Sequence, residues 1–311
     1  MKAGHQVERV APNAFFCGKR VGGNTLHLGL ILLLAASASA AEIRVTGSDL
    51  LGEGFVRAVA TYAKENDTAV QLDLRGTRLG VEALEAGRAD VGIFLLPPGE
   101  KPPAGALTSR VMGYRVSVVA VPAVSPLTQA TAAQLRGMFG ESAKDGFARW
   151  GDLNLSGEWA ARPIALRAVS GRDALAWSLF QRVILQEARP RAAVEFSPSG
   201  EALVQRLLAA DNGIGVAGMN ATANRGLRAL ALAASPSEPA YAPTAENVHA
   251  GHYPLRMGFY VVFRRAAAAQ LQGFLKFLLA DETAAVLAPG DYLPLPVGVR
   301  NQLVFELEEM R

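Results

Sequence analysis

Leu166–Trp177 reads LRAVSGRDALAW. A short apolar run from Pro163 to Val169 stops at Ser170-Gly171-Arg172-Asp173, and a helical pattern follows at once, with Leu175, Leu179 and Val183 on one stripe. A strand that feeds a helix through a Ser-Gly turn is the repeating unit of an α/β fold. The cation is out of place there. Helix starts carry partial positive charge, so Arg172 in a first turn costs about 0.3–1 kcal/mol. Either Asp173 offsets that cost, or an anion sits at the turn.

The same pattern occurs twice earlier in the chain. EIRVT, residues 42–46, predicts a strand; Gly47-Ser48-Asp49 turns, with Ser48 or Asp49 as the N-cap; Leu50 to Lys64 predicts a helix with Phe55, Val59 and Tyr62 on its apolar side. Val70 to Leu74 alternates as a strand, Gly76-Thr77-Arg78-Leu79-Gly80 is a second turn, and Val81 to Ala86 a short helix. ADVGIFLL, residues 89–96, is a third, buried strand. Strand, turn, helix, strand in this order predicts a parallel sheet with crossover helices. Such sheets bind ligands at the carboxyl ends of their strands. Helix starts there offer free N–H groups, Gly lets backbone approach an anion, and Ser or Thr adds a neutral donor. TGSD, GTRLG and SGRD together point to an oxyanion site.

Further along, LPPGEKPPAGA (Leu96 to Ala106) is a Pro/Gly-rich surface loop. Val116 to Val121 predicts a strand ending at Pro122, where the chain crosses between lobes. TAAQLRGMF is a helix, Gly200 to Ala210 another, and GIGVAGM a short strand; Ser235 to Thr244 is a proline-bearing linker. YPLRMGFYVVFRR reads as the return crossing, Leu271 to Leu279 as a terminal helix, and the final FELEEMR as a solvated end.

The first forty residues read as a cleavable signal peptide. Lys2, Arg9, Lys19 and Arg20 form a basic region, Leu26 to Ala36 an apolar one, and Ala38-Ser39-Ala40 an A-x-A site, so the mature chain is expected to start at Ala41 in the periplasm. The formal net charge of +3 belongs to this leader, which holds four Lys or Arg and one Glu. The remaining chain is nearly neutral, which argues against a nucleic-acid partner. Cys17 is the single cysteine and lies in the leader, which excludes disulfides and thiolate metal sites from the mature protein. His249 and His252 have an H-x-x-H spacing without a third ligand, so no metal is expected. Trp150 and Trp159 are expected to pack. Ser170 lacks a Gly-x-Ser-x-Gly elbow and an assignable base, so no catalytic residue and no enzyme activity are expected.

The ordered motifs resemble those of the phosphate-type substrate-binding proteins of ABC importers, within the type II periplasmic-binding-protein fold. VTGSDLL is similar to their first anion loop, LRGTRLGVEALEAGRADVGI to their second loop and following strand, TQATAAQLRGMFGES…RWGDL to the segment after the first crossing, and RAVSGRDALAWSLF to their Arg…Ser-Gly-Thr…Phe motif. GIGVAGM, YPLRMGFYVV and FLKFLLADETAAVLAPGDYLPLP are similar to later landmarks, so the resemblance covers nearly all of residues 42–300. It implies a two-lobe α/β fold: each lobe a mixed, mostly parallel sheet flanked by helices, joined by a two-crossing hinge. The expected lobes are residues 41–118 plus 256–311, and 119–255. Implied further are an oxyanion ligand, phosphate first among them, permease subunits as partners, no cofactor, and a monomer.

The implied contacts are Ser48, Asp49, Thr77, Arg78, Arg167, Ser170, Gly171 and Arg172. Two departures stand out. Arg172 occupies a position where Thr is usual. Phe94-Leu95-Leu96-Pro97 follows ADVGI, where the family often carries a polar residue, so a carboxylate that accepts the proton of HPO₄²⁻ is missing from its usual place. Phosphate, another oxyanion and a phosphoester therefore stay open as ligands. A sensing module of a signalling or surface system, and less readily an enzyme acting on a phosphorylated substrate, stay open as roles.

Overall fold

The computed structural model describes residues 42–141, 146–171, 174–186 and 188–310. Residues 1–41, Arg172 and Asp173 lie outside the described residues.

β1 (Glu42–Gly47), β2 (Ala69–Asp73) and β3 (Val91–Leu96) lie parallel in the order β2-β1-β3, connected through α1 (Gly52–Glu65) and α2 (Thr77–Glu85). This is the crossover arrangement that the sequence predicts. Phe55 and Val59 on α1 are buried, and Tyr62 packs edge-on against Phe274. β3 is buried throughout, as a strand covered on both faces must be.

β4 (Leu107–Pro122) is the longest strand, with 16 residues. β5 (Gln129–Thr131) and α3 (Ala132–Phe139) come next, the helix opened by a Thr131/Gln134 capping box. The chain continues through β6 (Ala165–Val169), α4 (Leu175–Phe180), β7 (Glu195–Ser197), α5 (Gly200–Ala209) and β8 (Gly213–Gly218). β9 (Leu227–Ala229), β10 (Ala231–Ala233) and α6 (Ala245–Ala250) lead to β11 (Arg256–Arg264). The last elements are α7 (Ala268–Leu278), α8 (Asp281–Leu287), β12 (Tyr292–Pro294) and α9 (Val297–Glu309).

Ten of the strands form one curled mixed sheet, β2-β1-β3-β11-β4-β8-β6-β7, with β9 and β12 also paired to β4, and β5 and β10 pair in parallel as a separate two-stranded sheet. β4 changes partners along its length: Leu107 to Val116 pair with β11, and Ser117 to Ala120 with β8. The sequence predicts only its second part, because residues 107–115 are half polar and become strand through the ladder that β11 offers. Two buried tyrosines clasp β4 near the change. Tyr292 donates its hydroxyl to the Met112 carbonyl at 2.6 Å, and Tyr253 donates to Ser117 at 3.0 Å. Burial pushes both phenols far above their ordinary range.

The chain end corrects an expectation. Phe305 to Glu309 of this segment lie within α9, where Leu307 is buried, its carbonyl accepts from Gln272 of α7, and Glu308 pairs with Lys276 at 2.6 Å. Leu303 and Leu307, four apart, are the packing face that the charged sequence obscures. Among the described residues no helix is long and apolar enough to cross a membrane.

Candidate functional site

β1, β2 and β3 end toward the segment where β4 changes partners, because Leu96 pairs with Gly258 and Arg256 with Val116. β6 and β8 end toward the same segment from the other side, since Gly218 pairs with Ser117. The carboxyl ends of both strand sets therefore converge, and their turns carry the residues singled out in the sequence.

Ser48 caps a short 3₁₀ turn, Asp49–Leu51, that leads into α1. It is 2% exposed, and its Oγ accepts from the Leu50 N–H at 3.2 Å, which leaves the hydroxyl proton to donate elsewhere. Asp49 beside it is exposed. Gly47 is dictated by a close approach: a Cβ there would run into the Ile93 carbonyl, to which the Ser48 N–H bonds at 2.9 Å. The turn after β2 lies against this one. The Gly76 N–H donates to the Gly47 carbonyl at 2.9 Å, and Gly80 packs on the Gly47 backbone. α2 begins at Thr77, four residues earlier than its apolar pattern suggests, because Gly76 at φ 111° supplies the turn. Thr77 Oγ1 is engaged with the backbone of Leu95, accepting from its N–H at 3.3 Å and donating to its carbonyl at 3.4 Å.

Arg78 does not join this group. Its side chain is 87% exposed and pairs along its own helix with Glu82 at 3.9 Å. Arg167 is also otherwise engaged: it sits opposite Glu195 across β6 and β7 and pairs with it at 2.6 Å, and Arg206 of α5 approaches the same carboxylate at 3.8 Å. Ser170 ends β6. Its N–H and its hydroxyl both donate to the Ser197 carbonyl, at 2.9 and 3.2 Å, so its proton is spent on the neighbouring strand. Gly171, at φ 68°, turns the chain toward α4. The contact expected of Arg172 falls outside the described residues.

Sequence reasoning missed the groups beside the Ser170 turn. A cavity of about 360 Å³ opens at the ends of β6 and β8, walled by Val169, Gly218, Glu201, Gln205, Asn220 and Asp291 among others. Asp291 is placed with care: the Asn220 N–H donates to it at 2.9 Å, Arg115 faces it at 3.9 Å, and a Cβ on Gly218 would clash with its carboxylate. The only signal in the sequence was APGD, a turn from a distant segment.

The remaining candidates pack as side chains. Trp150 is fully buried with Trp159 edge-on at 5.9 Å. His249 shares a hydrogen bond with the Tyr114 hydroxyl at 3.1 Å, and His252 stacks on Tyr241. Among the described residues no group of three or more His, Cys, Asp or Glu is placed to hold a metal ion.

A curled mixed sheet whose two strand sets present their carboxyl ends across a shared pair of crossings is the type II periplasmic-binding-protein architecture. A family model described as PBP superfamily domain matches residues 35–282, and the chain belongs to that family. It is 26% identical to the phosphate-binding protein PstS of Pseudomonas aeruginosa over 296 residues, covering 88% of each chain. Among solved structures it is similar in fold to PstS from Borrelia burgdorferi, with a TM-score of 0.66, 15% identity, and 83% of this chain and 100% of that one covered. A possible phosphate binding protein from Planctomyces limnophilus matches with a TM-score of 0.64 and 18% identity over 87% and 99% of the two chains.

Proposed function

We propose that the chain is an exported solute-binding protein that captures a small oxyanion, most simply phosphate, and delivers it to the permease subunits of an ABC importer. The supporting observation is the tie between Gly76 and Gly47, which sets two Gly-Ser/Thr helix starts side by side with the proton of buried Ser48 unspent. An anion at this point meets backbone N–H groups of two helix starts and one hydroxyl. The Ser170-Gly171 turn closes on it from the other strand set, and Arg172, next in sequence, supplies the charge. Residues 41–118 with 256–311 form one lobe and 119–255 the other. Closure is favoured by ligand because only the closed form lets both lobes touch the anion. The names of the relatives support phosphate as the ligand.

The chain works in the periplasm as a monomer without a cofactor and without catalysis, its leader being removed before Ala41. Isothermal titration tests the central reading. Phosphate or a phosphate-like oxyanion is expected to bind, and sugars and neutral amino acids are not. Failure of phosphate, sulfate, molybdate and simple phosphoesters alike would overturn it. In the same assay Arg172→Ala is expected to weaken binding roughly ten- to a hundredfold, the value of a hydrogen bond between charged groups.

A further inference from the structure

The cavity beside the Ser170 turn is larger than one oxyanion needs. At about 360 Å³ it would hold roughly a dozen water-sized groups of ~30 Å³ each. It falls at the lower end of small-molecule pockets, roughly 300–1,000 Å³. Its charge is also wrong for a second anion. No Lys or Arg lines it among the described residues.

Glu201, in the first turn of α5, takes the place at a helix start that an anion would otherwise use, and it repels a second negative group there. Glu201 is exposed and makes no ion pair among the described residues, whereas Asp291 across the cavity is already faced by Arg115. Among the described residues, Glu201 is thus the cavity carboxylate that no cation faces. Around it are carboxamides with spare capacity: Asn220 spends its Nδ2 on the Ala288 carbonyl and keeps its Oδ1, and Asn224 spends its Oδ1 on Gly226 and keeps its Nδ2. Val169, which lines the cavity, is the residue immediately before Ser170, so the cavity adjoins the anion turn where it begins.

We propose that the cavity holds the organic part of a phosphorylated amine, a phosphomonoester or phosphonate whose oxyanion sits between the Ser48 and Gly171 turns and whose ammonium pairs with Glu201. This rests on the oxyanion reading above and names its substrate class. It also accounts for the absent proton-accepting carboxylate after ADVGI, because carbon takes the place of the acidic proton in a phosphomonoester, or of the whole hydroxyl in a phosphonate, and the dianion then has no proton to donate.

The test is titration calorimetry of the mature chain with inorganic phosphate, glycerol 3-phosphate and phosphoethanolamine, repeated with E201Q. Phosphoethanolamine is expected to bind at least tenfold more tightly than phosphate or glycerol 3-phosphate. In E201Q the ratio of phosphoethanolamine to phosphate affinity is expected to collapse to within about twofold. Phosphate binding with no preference for the amine overturns the inference and leaves the oxyanion reading standing, as does glycerol 3-phosphate binding as tightly as the amine. An unchanged ratio in E201Q overturns the role of Glu201. No binding of any of the three overturns the inference, and the oxyanion reading falls with it when sulfate and molybdate fail as well.

Discussion

The Gly76 N–H donates to the Gly47 carbonyl at 2.9 Å, joining the turn after β2 to the turn after β1. The bond holds two helix starts at a fixed separation before any ligand arrives. Gly47 cannot be replaced without shifting its turn, because a Cβ would collide with the Ile93 carbonyl. Gly47→Ala is therefore expected to lose about 1–3 kcal/mol of stability, the usual range for overpacking, in urea unfolding followed by tryptophan fluorescence. An unfolding midpoint equal to the wild type would show that the turn can relax.

Ser48 and Ser170 look alike in sequence and differ in what their hydroxyls do. The Ser48 proton is unspent, whereas the Ser170 proton already goes to Ser197. Ser48→Ala is expected to weaken phosphate binding roughly tenfold, about 1.4 kcal/mol, and to cost about 0.5–2 kcal/mol of stability as a lost cap. Ser170→Ala is expected to weaken binding less. Titration of both variants decides the order, and a larger loss at Ser170 would reverse the assignment.

Arg78 and Arg167 separate by their surroundings. Arg78→Ala removes an exposed side chain and is expected to change stability by no more than ~0.5 kcal/mol and to leave phosphate affinity alone. Arg167 is 13% exposed and holds Glu195 across β6 and β7. Arg167→Ala leaves that carboxylate with only the longer contact from Arg206 and is expected to lower the unfolding midpoint clearly. Equal midpoints for the two variants would contradict the structural role of Arg167.

Acid should loosen the first strands. Arg44 donates two side-chain hydrogen bonds and its N–H to Asp90, holding that carboxyl below the ordinary Asp range. The folded pKa is depressed, so the stabilisation is full above the unfolded Asp value near ~4 and is lost as pH falls through the lower folded value. Unfolding midpoints between pH 2 and 6 are expected to drop more steeply in the wild type than in Asp90→Asn. Parallel curves would show that the pair carries no linkage.

Much of the fold was legible because it is written locally. Alternating apolar residues in 42–46 and 70–74, a Gly-Ser or Gly-Thr turn after each, and an amphipathic stretch beyond are short-range signals, and the crossover units follow from them. The first half of β4 was not legible, since residues such as Ser109 and Arg110 become strand only when β11 lies beside them. The chain end misled for the same reason: Leu307 shows its face only against α7.

The sequence by itself determined the class of fold, the order of the turns, and which turns carry Gly beside Ser or Thr, because these depend on backbone conformation and periodicity within a few residues. Tertiary structure alone decided which side chains remain available to a ligand. Whether a hydroxyl or guanidinium is spent depends on partners from distant segments: Ser197 for Ser170, Leu95 for Thr77, Glu195 for Arg167. It also decided that Asp291 and Glu201, 90 residues apart in the chain, face one cavity. Hydrogen-bond capacity is finite and is exhausted by whichever neighbour the fold brings within about 3 Å, and no local pattern records that neighbour.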